Sequence, residues 1–198
     1  MKILKLDDIF DFNGLVSEIV SILEQDGVVI LPSDTCYGFL ADGASEIARA
    51  KIVSLKKMPA NKDISLCVAD KEMLLEYGEF DEVGQEIIDD FLPGPLTIVV
   101  LAKKLVKGFV GLRLPDHNLM CAIAALLGRP VFTTSANVHG KSSPYSIDGF
   151  DDFDVDLILD AGVLDFNEPS TVVKVDDNRI EILRDGGLAS DLLSRFSS

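Results

Sequence analysis

The sequence predicts an α/β fold, α+β-like in its mixed order of elements, in which one domain over residues 1–198 is built on a twisted mixed β-sheet flanked by helices. Three observations lead there. Short apolar runs of strand length recur along the chain, stretches with apolar residues at helical spacing lie between them, and Gly, Pro and Asx residues mark the junctions. With 47% hydrophobic and 26% charged residues in 198, the composition suits one sizeable core, and no shift in it marks a second domain.

In chain order, a first strand is expected around Ile3–Leu6. A helix over Asn13–Glu24 follows, with Leu15, Ile19, Ile22 and Leu23 on one face, Asn13 as cap and Gly27 as exit. Gly27–Leu31 is a continuous apolar run suited to a strand covered on both faces. Pro32 ends it, and Ser33, Asp34 and Thr35 emerge at its carboxyl end, with Gly38 allowing a close approach. Such a run of small oxygen-bearing side chains reads either as a ligand cradle or as a set of caps on backbone amides.

Ala44–Leu55 repeats the helical period and delivers Lys56, Lys57, Met58 and Pro59 at its end. Ile64–Val68 reads as a strand, and Lys71–Tyr77 and Glu82–Phe91 as helices. The Pro93-Gly94-Pro95 turn cannot continue a helix. Leu96–Ala102 and Phe109–Leu114 are strands, the second carrying Arg113 near its end. Asp116 is expected to cap a helix that runs to Leu127 and stops at Gly128. Pro130–Thr134 forms a strand ending in Ser135, Ala136 and Asn137. Further strands are expected at Leu157–Leu159, Thr171–Val175 and Arg179–Leu183, before Arg184, Asp185, Gly186 and Gly187; the acidic stretch Asp148–Asp156 reads as a solvated connection.

The balance of 33 acidic against 18 basic residues, a formal charge of −15, opposes a strong sequence-independent grip on nucleic acid, so weak or no general RNA binding is expected. A local basic pocket remains compatible with it, because distant carboxylates are screened. Cys36, Cys67 and Cys121 are odd in number and widely spaced, and read as reduced thiols; His117 and His139 do not suggest a metal centre. Asp7 and Asp8 interrupt any signal-peptide pattern, and no apolar run reaches membrane-spanning length, so a cytoplasmic protein without membrane contact is expected.

Candidate site residues gather at predicted strand and helix ends. Ser135 and Asn137 follow a short strand as Ser33 and Thr35 do, and ligands of open sheets collect outside strand ends, so the two cradles are expected to face one crevice. Lys56, Lys57 and Lys62 form a local positive cluster suited to polyphosphate, unless they are simply solvated. Arg113 and Arg184 end apolar strands, where a guanidinium calls for a carboxylate or phosphate partner, within the chain or on a ligand.

Taken together, LPSDTCYG at 31–38, the lysine of LKKMP at 55–59, PGPLTIVV at 93–100, GLRLPDH at 111–117, TTSAN at 133–137, PSTVV at 169–173 and ILRDGG at 182–187 resemble the YrdC-like family of threonylcarbamoyl-AMP synthases. The resemblance spans nearly the whole chain, in the family's short form. It implies a twisted mixed α/β sheet with a concave ligand cavity. It also implies a nucleotidyltransferase that joins L-threonine, bicarbonate or CO2, and ATP into threonylcarbamoyl-AMP and pyrophosphate. Mg²⁺ would accompany ATP, with its ligands unassigned, and a tRNA-modifying threonylcarbamoyl transferase complex would use the product.

Carried over by position, Ser33, Thr35, Arg113 and Ser170 would bind L-threonine. Lys56, Lys62, Ser135, Asn137 and Arg184 would bind ATP, with Lys56, Ser135 and Asn137 acting in catalysis. One departure stands out: the family pattern Lys-any-Arg has Met58 in the third place here. Lys57 or Lys62 is the expected substitute. The same departure motivates two alternatives, a noncatalytic nucleotide- or RNA-binding member and a relative that moves a carbamoyl group from carbamoyl phosphate.

Overall fold

Why the chain folds round a single sheet is visible in how its apolar strands are covered. The computed structural model describes residues 1–196. The described strands are β1 (Lys2–Lys5), β2 (Val29–Leu31), β3 (Gly38–Asp42), β4 (Ser65–Cys67), β5 (Leu96–Leu101), β6 (Phe109–Arg113), β7 (Val131–Ser135), β8 (Leu157–Asp160), β9 (Thr171–Asp176) and β10 (Arg179–Arg184). Six α-helices accompany them among the described residues: α1 (Phe12–Leu23), α2 (Glu46–Lys56), α3 (Lys71–Tyr77), α4 (Glu82–Phe91), α5 (Asn118–Leu127) and α6 (Ala189–Phe196).

The strands form one mixed sheet in the order β1-β8-β2-β3-β7-β4-β6-β5-β9-β10. Its parallel pairs are β1/β8, β2/β8, β4/β6 and β5/β9, and its remaining pairs are antiparallel. Alternation along the central strands feeds two cores. Val29, Leu31 and Leu40 pack with α1 and α5 on one face, while Val28, Ile30, Phe39 and Ala41 join α2, α3, α4 and α6 residues on the other. No helix among the described residues is long and apolar enough to cross a membrane.

Several local expectations are corrected. Asp11, not Asn13, caps α1, its Oδ1 accepting from the Gly14 N–H at 2.9 Å, and Asn13 lies inside the helix. Asp116 does not cap α5: the helix begins at Asn118, and His117 in the cap position makes no side-chain cap bond. Strand β3 was not foreseen, since it is buried on both faces and carries no polar alternation. The acidic stretch is more than a solvated connection, because Phe150 is buried in the core and the Asp156 carboxylate accepts from the Val28 N–H at 2.9 Å. Helix α6 was also missed; it is short and follows a glycine turn.

The end of α2 decides where Met58 goes. The Met58 N–H reaches the Val53 carbonyl at 3.2 Å and the Lys57 N–H the Ser54 carbonyl at 3.1 Å, with Lys57 at φ 50°. That pattern is a Schellman ending, which turns the residue after the left-handed one back against the helix. Met58 is accordingly buried in the core. Lysine in the left-handed position is strained, so Lys57→Gly is expected to stabilise the fold by about 0.5–1 kcal/mol after allowing for glycine's freedom in the unfolded chain, read as a higher urea midpoint at unchanged slope.

Candidate functional site

The centre of the sheet carries a polar hollow of about 200 Å³. Its floor is made of hydroxyls set into apolar strands: Ser65 on β4, Thr97 on β5 and Thr133 on β7, with Ser65 and Thr133 directly paired in register. Gly111 on β6 keeps this floor open, since a Cβ there would lie 3.0 Å from the Ser65 hydroxyl and 3.2 Å from the Thr97 methyl. These hydroxyls were not singled out from the sequence. A lone Ser or Thr inside an otherwise apolar strand was the available signal.

The two strand-end loops do meet here. Ser33 and Thr35 after β2, and Ser135 at the end of β7, all line the hollow. Ser33 chiefly organises its own loop: its hydroxyl donates to the Cys36 carbonyl at 2.7 Å and accepts from the Thr35 and Cys36 N–H groups at 3.2 Å. Cys36 also lines the cavity, and burial pushes its thiol above the usual range.

Arg113, last residue of β6, donates to the Asp34 carboxylate at 2.5 Å and to the Thr35 hydroxyl at 3.3 Å. The side chains of this pair are only 10% and 9% exposed. Its carboxylate partner is therefore within the chain, yet Arg113 Nε and Asp34 Oδ2 remain without hydrogen-bond partners among the described residues. Buried polar atoms in that state are costly and need an explanation.

On the opposite wall, Arg184 ends β10. Its Nε and Nη2 grip the Ser170 carbonyl at 3.0 and 2.6 Å, and Nη2 also donates to the Ser170 hydroxyl at 2.8 Å. Ser170 Oγ and Thr97 Oγ1 are 3.3 Å apart, linking this wall to the floor. Gly186 permits the turn to pack there, because a Cβ would fall 2.3 Å from the Pro169 carbonyl. Burial, helped by the Arg113 charge, lowers the Arg184 pKa from its ordinary value.

Lys56 and Asn137 stand behind the Ser135 wall rather than among the residues lining the hollow. Lys56 Nζ donates to the Ser135 carbonyl at 2.5 Å, the Asn137 carbonyl at 3.1 Å and Asn137 Oδ1 at 3.0 Å. Ser135 Oγ donates to the same Oδ1 at 2.6 Å, and Asn137 Nδ2 to the Lys141 carbonyl at 2.5 Å. Lys56 is 4% exposed, and burial, reinforced by the Lys62 charge, pushes its pKa down to about 8. Lys62 lines the mouth beside Asp63, whereas Met58 does not line the hollow.

The hollow thus joins hydroxyl donors, two guanidinium groups and a lysine in a chain that is otherwise acidic. Such a set suits a small ligand with a carboxylate and a larger anion reaching out through the mouth. No cluster of three or more His, Cys, Asp or Glu side chains among the described residues could itself hold a metal ion. A Mg²⁺ site of the kind shared with a polyphosphate needs only one or two protein carboxylates, and Asp63 is the carboxylate at the lining.

Residues 21–186 match the Sua5/YciO/YrdC family, described as "Telomere recombination". A Methanocaldococcus jannaschii protein named "Putative threonylcarbamoyl-AMP synthase" is 35% identical over 176 residues, covering 85% of this chain and 84% of its own length. The structure of P. abyssi Sua5 complexed with L-threonine superposes with a TM-score of 0.86 at 25% identity, over 98% of this chain and 59% of that one. The E. coli YciO structure, at 24% identity, shares the fold with a TM-score of 0.80 over 94% of this chain and 95% of its own. The chain therefore spans nearly all of one kind of relative and less than two thirds of the Sua5 chain.

Proposed function

From the Sua5/YciO/YrdC family, to which this chain belongs, we infer an L-threonylcarbamoyladenylate synthase. It takes L-threonine, bicarbonate or CO2, and ATP, releases pyrophosphate, and passes its product to a tRNA-modifying transferase complex. The observation that carries the reading is the convergence of Thr35, Arg113, Ser135, Ser170 and Arg184 on one polar hollow, together with a Sua5 relative that binds L-threonine.

In this reading threonine sits over the hydroxyl floor, with its carboxylate toward Arg113 and its hydroxyl among Ser33, Thr35 and Ser170. The neutral threonine amine adds to CO2 and gives up a proton to solvent to form a carbamate, whose oxygen attacks the α-phosphorus as the bond from that phosphorus to the α,β-bridging oxygen breaks and pyrophosphate departs. Lys56, Ser135 and Asn137 hold the wall of the site, while Lys62 and Arg184 face the charge that grows on the leaving phosphates. Mg²⁺, carried in by ATP and reached by Asp63, would screen the polyphosphate charge.

The test is pyrophosphate release with ATP, Mg²⁺, L-threonine and bicarbonate, each omitted in turn. Release that needs both threonine and bicarbonate is expected; release indifferent to threonine, or none, refutes the reading. A second reading, a noncatalytic nucleotide-binding member, is favoured by the burial of Met58, which removes that position from the cavity. ATP binding without pyrophosphate release would select it, and consumption of carbamoyl phosphate would select a carbamoyl-transferring relative.

A pH dependence follows from Lys56. Its folded pKa of about 8 lies below the ordinary 10.5. Between those values the unfolded chain binds more protons, so the burden of the buried charge is fully present below pH about 8 and stability rises across pH 8–10.5. ATP affinity runs the other way, falling above pH about 8 as the ammonium is lost. Calorimetric titration with ATP at pH 7 and pH 9 checks this.

A further inference from the structure

We propose that His139 is a positioning residue that holds the Lys62 ammonium, read above as a phosphate-facing cation, at the lining of the hollow. The cations around the hollow are not equally available. Arg113 is paired with Asp34, Arg184 is hydrogen-bonded to Ser170, and Lys56 is enclosed by the Ser135 and Asn137 oxygens. Lys62 Nζ, by contrast, has an exposed contact with the His139 Nε2 at 3.3 Å and is in no carboxylate ion pair among the described residues, so a phosphate oxygen readily replaces that partner.

Both ends of this contact are anchored while its tips are exposed. Arg49 Nη2 donates to the Ala60 and Lys62 carbonyls at 3.0 Å each, and the Lys62 N–H closes a turn onto the Pro59 carbonyl at 3.0 Å, fixing the base of the lysine. On the imidazole side, the His139 N–H donates to the Lys56 carbonyl at 2.7 Å, tying this loop to the end of α2. The Lys62 ammonium lies close enough to Lys56, behind the Ser135 wall, to help depress its pKa, a repulsion that an anion at Lys62 would screen. A flexible lysine held by one hydrogen bond over the cavity loses less freedom on binding than one waving in solvent. With Met58 turned into the core by the Schellman ending, Lys62 is the lining cation nearest in the chain to the position that Met58 vacates.

This inference rests on the nucleotide reading of the cavity, but ATP-binding calorimetry tests it apart from turnover: a protein that binds ATP and releases no pyrophosphate fails the synthase reading alone. Lys62→Met is expected to weaken ATP binding about ten- to a hundredfold, with Lys62→Arg largely retaining it. His139→Leu is expected to weaken it about two- to tenfold, whereas His139→Gln, whose Oε1 offers an acceptor in the Nε2 position, restores it. In the Lys62→Met background His139→Leu should cost nothing more. An equal His139→Leu penalty in both backgrounds would show a merely structural role and overturn the positioning claim. Unchanged binding by Lys62→Met, or no ATP binding by the unmodified protein, would overturn the proposal as a whole.

Discussion

Lys56→Met is expected to lower kcat/KM for ATP about 10²–10³-fold, a loss on the scale of one preorganised donor, because the wall that Lys56 braces carries Ser135 into the site. The substitution deletes the ammonium that holds the Ser135 and Asn137 carbonyls and Asn137 Oδ1 in place. Those acceptors then face a thioether, and each one left buried and unpaired costs about 1–3 kcal/mol. Loss of activity and loss of stability must therefore be read separately, by pyrophosphate release below the unfolding transition and by urea denaturation. Asn137→Ala removes the side-chain half of the network while leaving Lys56 its two carbonyls, so it should cost less stability than Lys56→Met while still suppressing turnover. Normal activity in both variants would refute the assignment of this wall to the reaction.

Arg113→Leu is the second large effect. It leaves Asp34 as a buried, unpaired carboxylate, which is expected to destabilise the protein by about 3–5 kcal/mol. Threonine-dependent turnover should disappear as well, because the guanidinium at the hydroxyl floor is gone. Adding Asp34→Leu removes the stranded charge, and the double variant should regain most of the stability without regaining activity. Thermal unfolding and pyrophosphate release on the two variants separate these outcomes. A double variant that regained threonine-dependent activity would show that the pair serves the fold alone.

Much of the architecture was legible because its causes are local. Helices α3 and α4 were read at their observed bounds from apolar spacing and flanking turn residues, and Arg113 and Arg184 were read at the ends of β6 and β10, where they lie. Reading failed where burial removed the pattern or where two candidate caps competed. Strand β3 has no exposed face to betray it, and Asp11 won the α1 cap from Asn13 because its carboxylate reaches Gly14 while Asn13 already lies within the helix. The hydroxyl floor escaped notice for a related reason: single Ser and Thr residues are ordinary in strands until neighbouring strands align them.

Acting alone, the sequence determined most of the elements though not β3 or α6, the acidic charge balance, and the set of polar residues placed at strand ends, all of which follow from short-range spacing, turn chemistry and composition. Only the tertiary structure decided which of those residues meet, because strand order joins positions as distant as Thr35, Arg113, Ser135 and Ser170 around one hollow. It also decided what each cation is worth: Asp34 neutralises Arg113, burial moves Lys56 to a pKa of about 8, and the backbone turn after α2 sends Met58 inward. The physical reason is the same in each case. A side chain's charge, partner and direction depend on neighbours brought by long-range folding, which no local pattern in the chain encodes.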